Sequence, residues 1–189
     1  MNAIALLKAD HRRLKELFRS YEQLGERAHR SRQRVVEQIS QELAVHSNIE
    51  ETVFYPQVRQ LVPKTEDEVL ESLEEHHIVK WTLSELEKMH PGDERYNAKV
   101  TVLMENVRHH ILEEEHEFFP QVARTLSRAE LEQIGDELEA ARAVAPTRPH
   151  PRAPDEPPGN IIAAAASAPI DAVLQGTKTA ARRLVRRRG

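Results

Sequence analysis

The stretch His46-Ser47-Asn48-Ile49-Glu50, running on into Val53-Phe54-Tyr55-Pro56, decides how this chain is read. Its echo is His110-Ile111-Leu112-Glu113-Glu114, running on into Glu117-Phe118-Phe119-Pro120. In both, histidine is followed four residues later by glutamate, four later by phenylalanine and two later by proline. Positions four apart share a helix face, so each stretch offers one imidazole and one carboxylate to a common point. Two such helices facing each other would hold metal between them.

Hydrophobic periodicity surrounds both stretches with helices. Residues 2–25 form a stripe of Ile4, Leu7, His11, Leu14 and Phe18, and Gly25 marks the end. Residues 31–55 carry Ile39, Leu43, His46, Glu50, Val53 and Phe54 on one face, and Pro56 should kink or break that helix. Thr65 and Glu68 make a capping-box pattern opening a third helix, with Val69, Leu73, His76, Val79, Leu83 and Leu86 inward. After a turn at His90-Pro91-Gly92-Asp93, a fourth helix at about 94–118 turns Val100, Leu103, Val107, His110, Glu114 and Phe118 inward, and Pro120 ends it. Ser127 and Glu130 repeat the capping-box pattern and open a short helix, about 128–143, outside the bundle.

An internal repeat ties these elements together. His11 to His76 is 65 residues and His46 to His110 is 64. Asp10-His11 matches Glu75-His76, and Phe18 matches Leu83. The expected fold is all-α, an antiparallel up-down-up-down four-helix bundle with a short extra helix and a Pro-linked C-terminal tail. The bundle occupies 1–144, a Pro-rich linker 145–160, and a basic, amphipathic tail 161–189. Six prolines at 146, 149, 151, 154, 157 and 158 make the linker stiff and extended.

Composition narrows the class. The 189 residues include no Cys, which removes disulfides, iron–sulfur clusters and thiolate zinc sites. The N-terminus lacks the build of a signal peptide, and no apolar run approaches the roughly 20 residues of a membrane span. The expectation is a cytoplasmic protein with no transmembrane segment. From Ala145 onward there are 8 Lys+Arg and 3 Asp+Glu, a net +5, which leaves residues 1–144 at −9. An acidic body argues against a nucleic-acid grip by the bundle.

Four histidines, one per helix, each interrupt an apolar stripe, and two share their face with glutamate. A single buried histidine is ordinarily a core residue with a hydrogen-bond partner. Two buried glutamates without a cation would be costly and would repel each other. The set His11, His46, Glu50, His76, His110 and Glu114 therefore reads as metal ligands. Mixed imidazole and carboxylate donors suit iron, manganese, zinc or copper rather than calcium or magnesium. Six donors exceed one zinc and fit two metals with both glutamates bridging. Iron there would keep open positions for a bridging oxygen and an exogenous ligand. Glu74-x-x-His77 and Glu113-x-x-His116 offer a competing register, but His116 lies about 240° around the helix from His110. Tyr55, His77 and Glu113 are candidates for supporting contacts or an extra ligand.

At Asp10-His11, His46-x-x-x-Glu50 with Phe54-Tyr55-Pro56, Glu75-His76-His77, and His110-x-x-x-Glu114 with Phe118-Phe119-Pro120, residues 1–144 resemble the hemerythrin-like family, the HHE cation-binding domain, in its bacterial branch. The resemblance implies a four-helix bundle around two non-haem iron ions with a bridging oxygen. It implies oxygen carriage, oxygen or iron sensing, or handling of nitric oxide or peroxide. Two departures stand out. The oxygen carriers' fifth histidine falls on Ser72 or Lys80, and the last carboxylate follows its histidine by four residues instead of five.

Two functions follow as expectations. One is binding or reaction with a small oxidant, dioxygen, hydrogen peroxide or nitric oxide, including weak peroxidase- or catalase-like turnover. The other is an iron- or oxygen-responsive sensor or regulatory module without turnover. Arg182, Arg183, Arg186, Arg187 and Arg188 would let the tail contact an anionic membrane surface or nucleic acid.

Overall fold

The inward stripes read from the periodicity are the buried faces of the helices. Leu7, His11, Leu14 and Phe18 are buried, with Ile4 half-buried beside them, as are Ile39, Leu43, His46, Glu50 and Phe54. The stripes Val69 to Leu86 and Val100 to Phe118 are buried throughout. The computed structural model describes residues 1–154, 158–160, 162–163, 165–167, 169 and 171.

Helix α1 spans Ala3–Glu22 and α2 spans His29–Ile49. A π-helical turn, Glu50–Phe54, joins α2 to α3, Tyr55–Leu61. Helix α4 is Glu66–Leu86 and α5 is Tyr96–Glu113. A second π-helical turn, Glu114–Phe118, leads into α6, Phe119–Thr125, and α7 is Arg128–Arg142. Helix α1 packs on α2 and α5, and α4 on α5 and α2, which is the up-down-up-down arrangement of two hairpins.

Pro120 does not end its helix, contrary to the expectation, and at Pro56, where the sequence predicts a kink or a break, the chain passes through a π-helical turn and stays helical. Proline lacks an N–H and crowds the carbonyl four residues back. Just before each proline, the Tyr55 and Phe119 N–H groups reach five residues back, to the carbonyls of Glu50 and Glu114. The wider turn relieves the clash, and the helix resumes with proline in its first turn. It also lets consecutive residues face inward, since Phe54 and Tyr55 are both buried, as are Phe118 and Phe119. At the start of α4, Thr65 makes no side-chain cap. Its hydroxyl donates to the Val62 carbonyl across a short 3-10 turn. Ser127 and Glu130 do form the expected capping box.

A polar belt divides the core. One apolar cluster, with Leu14, Phe18, Ile39, Leu83 and Leu103, fills one end of the bundle. The other, with Leu7, Phe54, Tyr55, Phe118 and Phe119, fills the opposite end. Helix α7 closes this second end across α1 and α2, adding Leu131, Ile134 and Leu138 to its core. Gly135 permits the approach, since a β-carbon there would lie 1.9 Å from the Met1 carbonyl oxygen.

The Pro-rich segment folds back onto the bundle instead of extending away. Pro146 and Pro149 are buried, and Arg148 makes two bonds of 2.9 Å to Glu87. Asp171 accepts from the Thr147 backbone N–H and pairs with His150, while the buried Asn160 side chain donates to the Glu51 carbonyl at 2.9 Å. Proline rings supply apolar area without an N–H to satisfy, so such a segment docks cheaply once ion pairs anchor it. The tail stripe Ile170, Val173, Leu174, Ala181 and Leu184 and the terminal arginines lie outside the described residues. No described helix is long and apolar enough to cross a membrane.

Candidate metal centre

The belt between the two apolar clusters is made of His11, His46, Glu50, His76, His110 and Glu114, each at most 5% exposed. Helix α1 supplies His11, α4 His76, α2 His46 and α5 His110, and the π-helical turns that follow α2 and α5 supply Glu50 and Glu114. His46 Nε2 lies 3.2 Å and His76 Nε2 3.5 Å from Glu50 Oε2. His11 Nε2 lies 3.1 Å and His110 Nε2 3.5 Å from Glu114 Oε2. His76 Nε2 and His110 Nε2 approach to 3.2 Å. Two groupings of converging donor atoms result: His11, His46, Glu50 and Glu114 in one, Glu50, His76 and His110 in the other. Glu50 belongs to both.

These donors fit cations. Both Glu50 oxygens, Glu114 Oε2 and the Nε2 atoms of His11 and His46 are buried without a hydrogen-bond partner. Burial, and then the facing Glu114 carboxylate, push the Glu50 carboxyl well above its usual range. Burial, and then the neighbouring His110, push His76 well below the usual imidazole range. A cation among these atoms would satisfy the orphaned donors and reverse the repulsion.

Four carboxylates outside this set face the outer nitrogens of the histidines, and reading the sequence for stripes misses them. Glu115 Oε1 lies 2.9 Å from His11 Nδ1, Glu51 Oε1 3.0 Å from His76 Nδ1, and Glu75 Oε2 2.7 Å from His110 Nδ1. Asp10 Oδ2 faces His46 Nδ1 at 3.5 Å. A carboxylate can only accept, so the contacts of Glu115, Glu51 and Glu75 place a proton on Nδ1 of His11, His76 and His110 and aim Nε2 at the belt, whereas Asp10 acts on His46 as a nearby charge without a hydrogen bond. Lys15 pairs with Glu115 and Lys80 with Glu51. Asp10 is held by Arg13 and Arg142. Burial alone would raise the Asp10 carboxyl, but His46 and Arg142 bring it down to about 2. The His11 contact, reinforced by Lys15, lowers Glu115 to about 2. A sequence signal did exist. Asp10 and Glu75 immediately precede a histidine of the belt, and Glu51 and Glu115 immediately follow a glutamate of it.

The three supporting candidates separate. The buried Tyr55 hydroxyl donates to Glu114 Oε1 at 3.0 Å. His77 turns outward, accepting from Trp81 Nε1 at 2.9 Å. Glu113 lies at the surface against His109. His116 and Glu74 are exposed, so the competing Glu-x-x-His register forms no inward site.

The model of the Hemerythrin HHE cation binding domain matches residues 2–122. The chain belongs to the hemerythrin HHE family. An uncharacterized hemerythrin-like protein of Schizosaccharomyces pombe is 31% identical over 163 residues, covering 86% of this chain and 79% of that one. A Nostoc protein named a DNA nickase is 27% identical over 143 residues, 76% of this chain, but the match spans only 40% of that protein's length. The crystal structure of a hemerythrin HHE cation binding domain-containing protein from Mycobacterium kansasii superposes with a TM-score of 0.63 at 23% identity, covering 76% of this chain and 88% of that one. The hemerythrin HHE domain is a metal-binding helical domain, and the His and Glu groupings of this bundle could hold metal.

Proposed function

We propose that the belt holds two non-haem irons, with His11, His46, Glu50 and Glu114 around one and Glu50, His76 and His110 around the other, and that the centre binds or reacts with a small oxidant. The observation carrying this reading is Glu50, a fully buried carboxylate with both oxygens unpartnered, placed in both donor groupings. A mixed imidazole–carboxylate set favours iron over calcium or magnesium. Bound iron supplies electron exchange and open coordination positions. The chain's own part is to orient the donors and restrict access. The outer carboxylates fix the imidazoles, Tyr55 holds one Glu114 oxygen, and the apolar ends exclude bulk water. A cavity of about 10 Å³ beside His46, His76 and His110 is at the lower limit for a single water molecule, so only a small exogenous ligand is admitted. Cytoplasmic residence is part of the same proposal.

Metal analysis and absorption spectra of the purified protein test this. Two irons per chain and the near-ultraviolet absorption of an oxygen-bridged ferric pair are expected after aerobic loading. A protein that takes up no iron, or one iron without that absorption, refutes it. Spectral change on adding peroxide or nitric oxide then identifies the oxidant.

A sensor without turnover is the second reading, favoured by one contact. Asn160, at the end of the Pro-rich segment, donates to the carbonyl of Glu51, whose side chain holds His76. Metal occupancy that shifts His76 would be felt at this contact. Limited proteolysis with and without iron should then cut residues 146–171 at different rates, and identical patterns count against it. Whether the basic C-terminus contacts anionic lipid or nucleic acid is tested by vesicle and DNA binding at low and high salt.

A further inference from the structure

We infer that Glu75, His109 and Glu113 form a surface site for a divalent transition-metal ion that loads the buried layer, a role resting on the reading of that layer as a metal centre. His109 and Glu113 stand one turn apart on α5, with His109 Nε2 3.2 Å from Glu113 Oε1. Glu75 reaches them from α4, and one donor atom from each of the three lies within 4.8 Å of the others. One imidazole and two carboxylates suit first-row divalent ions.

Two observations set this group apart from an ordinary exposed acidic cluster. The first is that Glu75 faces both ways. Its Oε2 accepts from His110 Nδ1, and the residue lines the small cavity shared with His46, His76 and His110. An ion held at the surface is therefore one carboxylate away from the interior donors.

The second is that the internal repeat lacks the site in its other half. Glu75 corresponds to Asp10, His109 to Val45 and Glu113 to Ile49. There the carboxylate is 1% exposed and is closed off by Arg13 and by Arg142 of α7. In the second half, among the described residues, neither Glu75 nor Glu113 pairs with arginine or lysine. Holding a histidine needs only the outer carboxylate, which both halves possess. The added imidazole and carboxylate occur beside the partly exposed Glu75 and not beside the closed-off Asp10, and their negative field draws cations to that face.

The test is a Co²⁺ titration of the metal-free full chain, following bound metal by equilibrium dialysis and filling of the buried positions by visible absorption. Wild-type protein is expected to bind three equivalents. The variant H109A/E113Q, altered only at surface positions, should lose the weakest one. It should still fill both buried positions, at least about tenfold more slowly. A third equivalent that persists in the variant, or buried loading at the wild-type rate, overturns the inference. If the buried layer binds no metal, wild type takes a single equivalent that the variant loses, which overturns the buried reading and leaves the surface site standing.

Discussion

The Tyr55 hydroxyl donates to Glu114 Oε1 at 3.0 Å, whereas Phe119, the repeat's counterpart of Tyr55, stacks on His11 with no polar group to offer. This is a polar break in the twofold repeat of the belt. It occupies one oxygen of Glu114, leaving Oε2 to face His11 and His110. Tyr55→Phe keeps the packing and removes the donor. Loss of a buried hydrogen bond to a carboxylate should cost about 1.5–3 kcal/mol, read as a lower urea midpoint of the metal-free protein. Metal stoichiometry should be unchanged, and the absorption spectrum of the loaded protein should shift because Glu114 is freed.

Glu50→Gln should separate stability from binding. The substitution replaces a charge pushed toward protonation by burial and by Glu114 with a neutral amide. The metal-free variant is expected to be as stable as wild type or more stable, by up to about 2 kcal/mol. It should nevertheless lose tight binding at both positions, because Glu50 is the shared donor. Thermal melts with and without chelator, alongside metal content, check both halves of this expectation.

Chelation of wild-type protein should lower its melting temperature. A ligand that binds only the native state at 100 times its dissociation constant contributes about 2.7 kcal/mol. For a domain of this size each kcal/mol corresponds to roughly 2–4 °C. A loss on the order of 5–10 °C is therefore expected, and re-addition of metal should restore it. An unchanged melt would show that the belt is satisfied without a cation.

Removing an outer carboxylate should weaken metal binding without unfolding the bundle. Glu51→Gln leaves His76 Nδ1 with a neutral acceptor and removes the ion pair between Lys80 and this side chain. Affinity is expected to fall about 10–100-fold, measured by competition with a chelator, while the far-ultraviolet circular dichroism stays the same.

Shortening the α7 contact tests whether that helix belongs to the folded unit. Ile134 is 1% exposed within the cluster shared with α1 and the first π-turn. Ile134→Ala should cost about 2–5 kcal/mol in one cooperative transition. An independent melting step would make α7 an appendage.

Local spacing made the bundle and its six inward polar residues readable. An i, i+4 pair such as His46 and Glu50 shares a face of any helix, and an apolar stripe must point to a core wherever that core lies. The 64- and 65-residue repeat then paired the helices. The same local logic failed in ending the helix at Pro120 and in allowing a break at Pro56, because it assumes α-helical hydrogen bonding. The π-turns at Glu50 and Glu114 move the crowded carbonyls away.

By itself, then, the sequence determined an all-α bundle with four histidines and two glutamates at one level, because helical periodicity is set by neighbours along the chain. Only the tertiary structure decided that Glu50 lies in both donor groupings while Tyr55 binds Glu114. It alone showed which carboxylate holds which histidine, and that α7 closes the Asp10 side and leaves Glu75 beside solvent. Those are contacts between residues from 25 to 132 positions apart, and no period along one helix encodes which distant side chain will meet it.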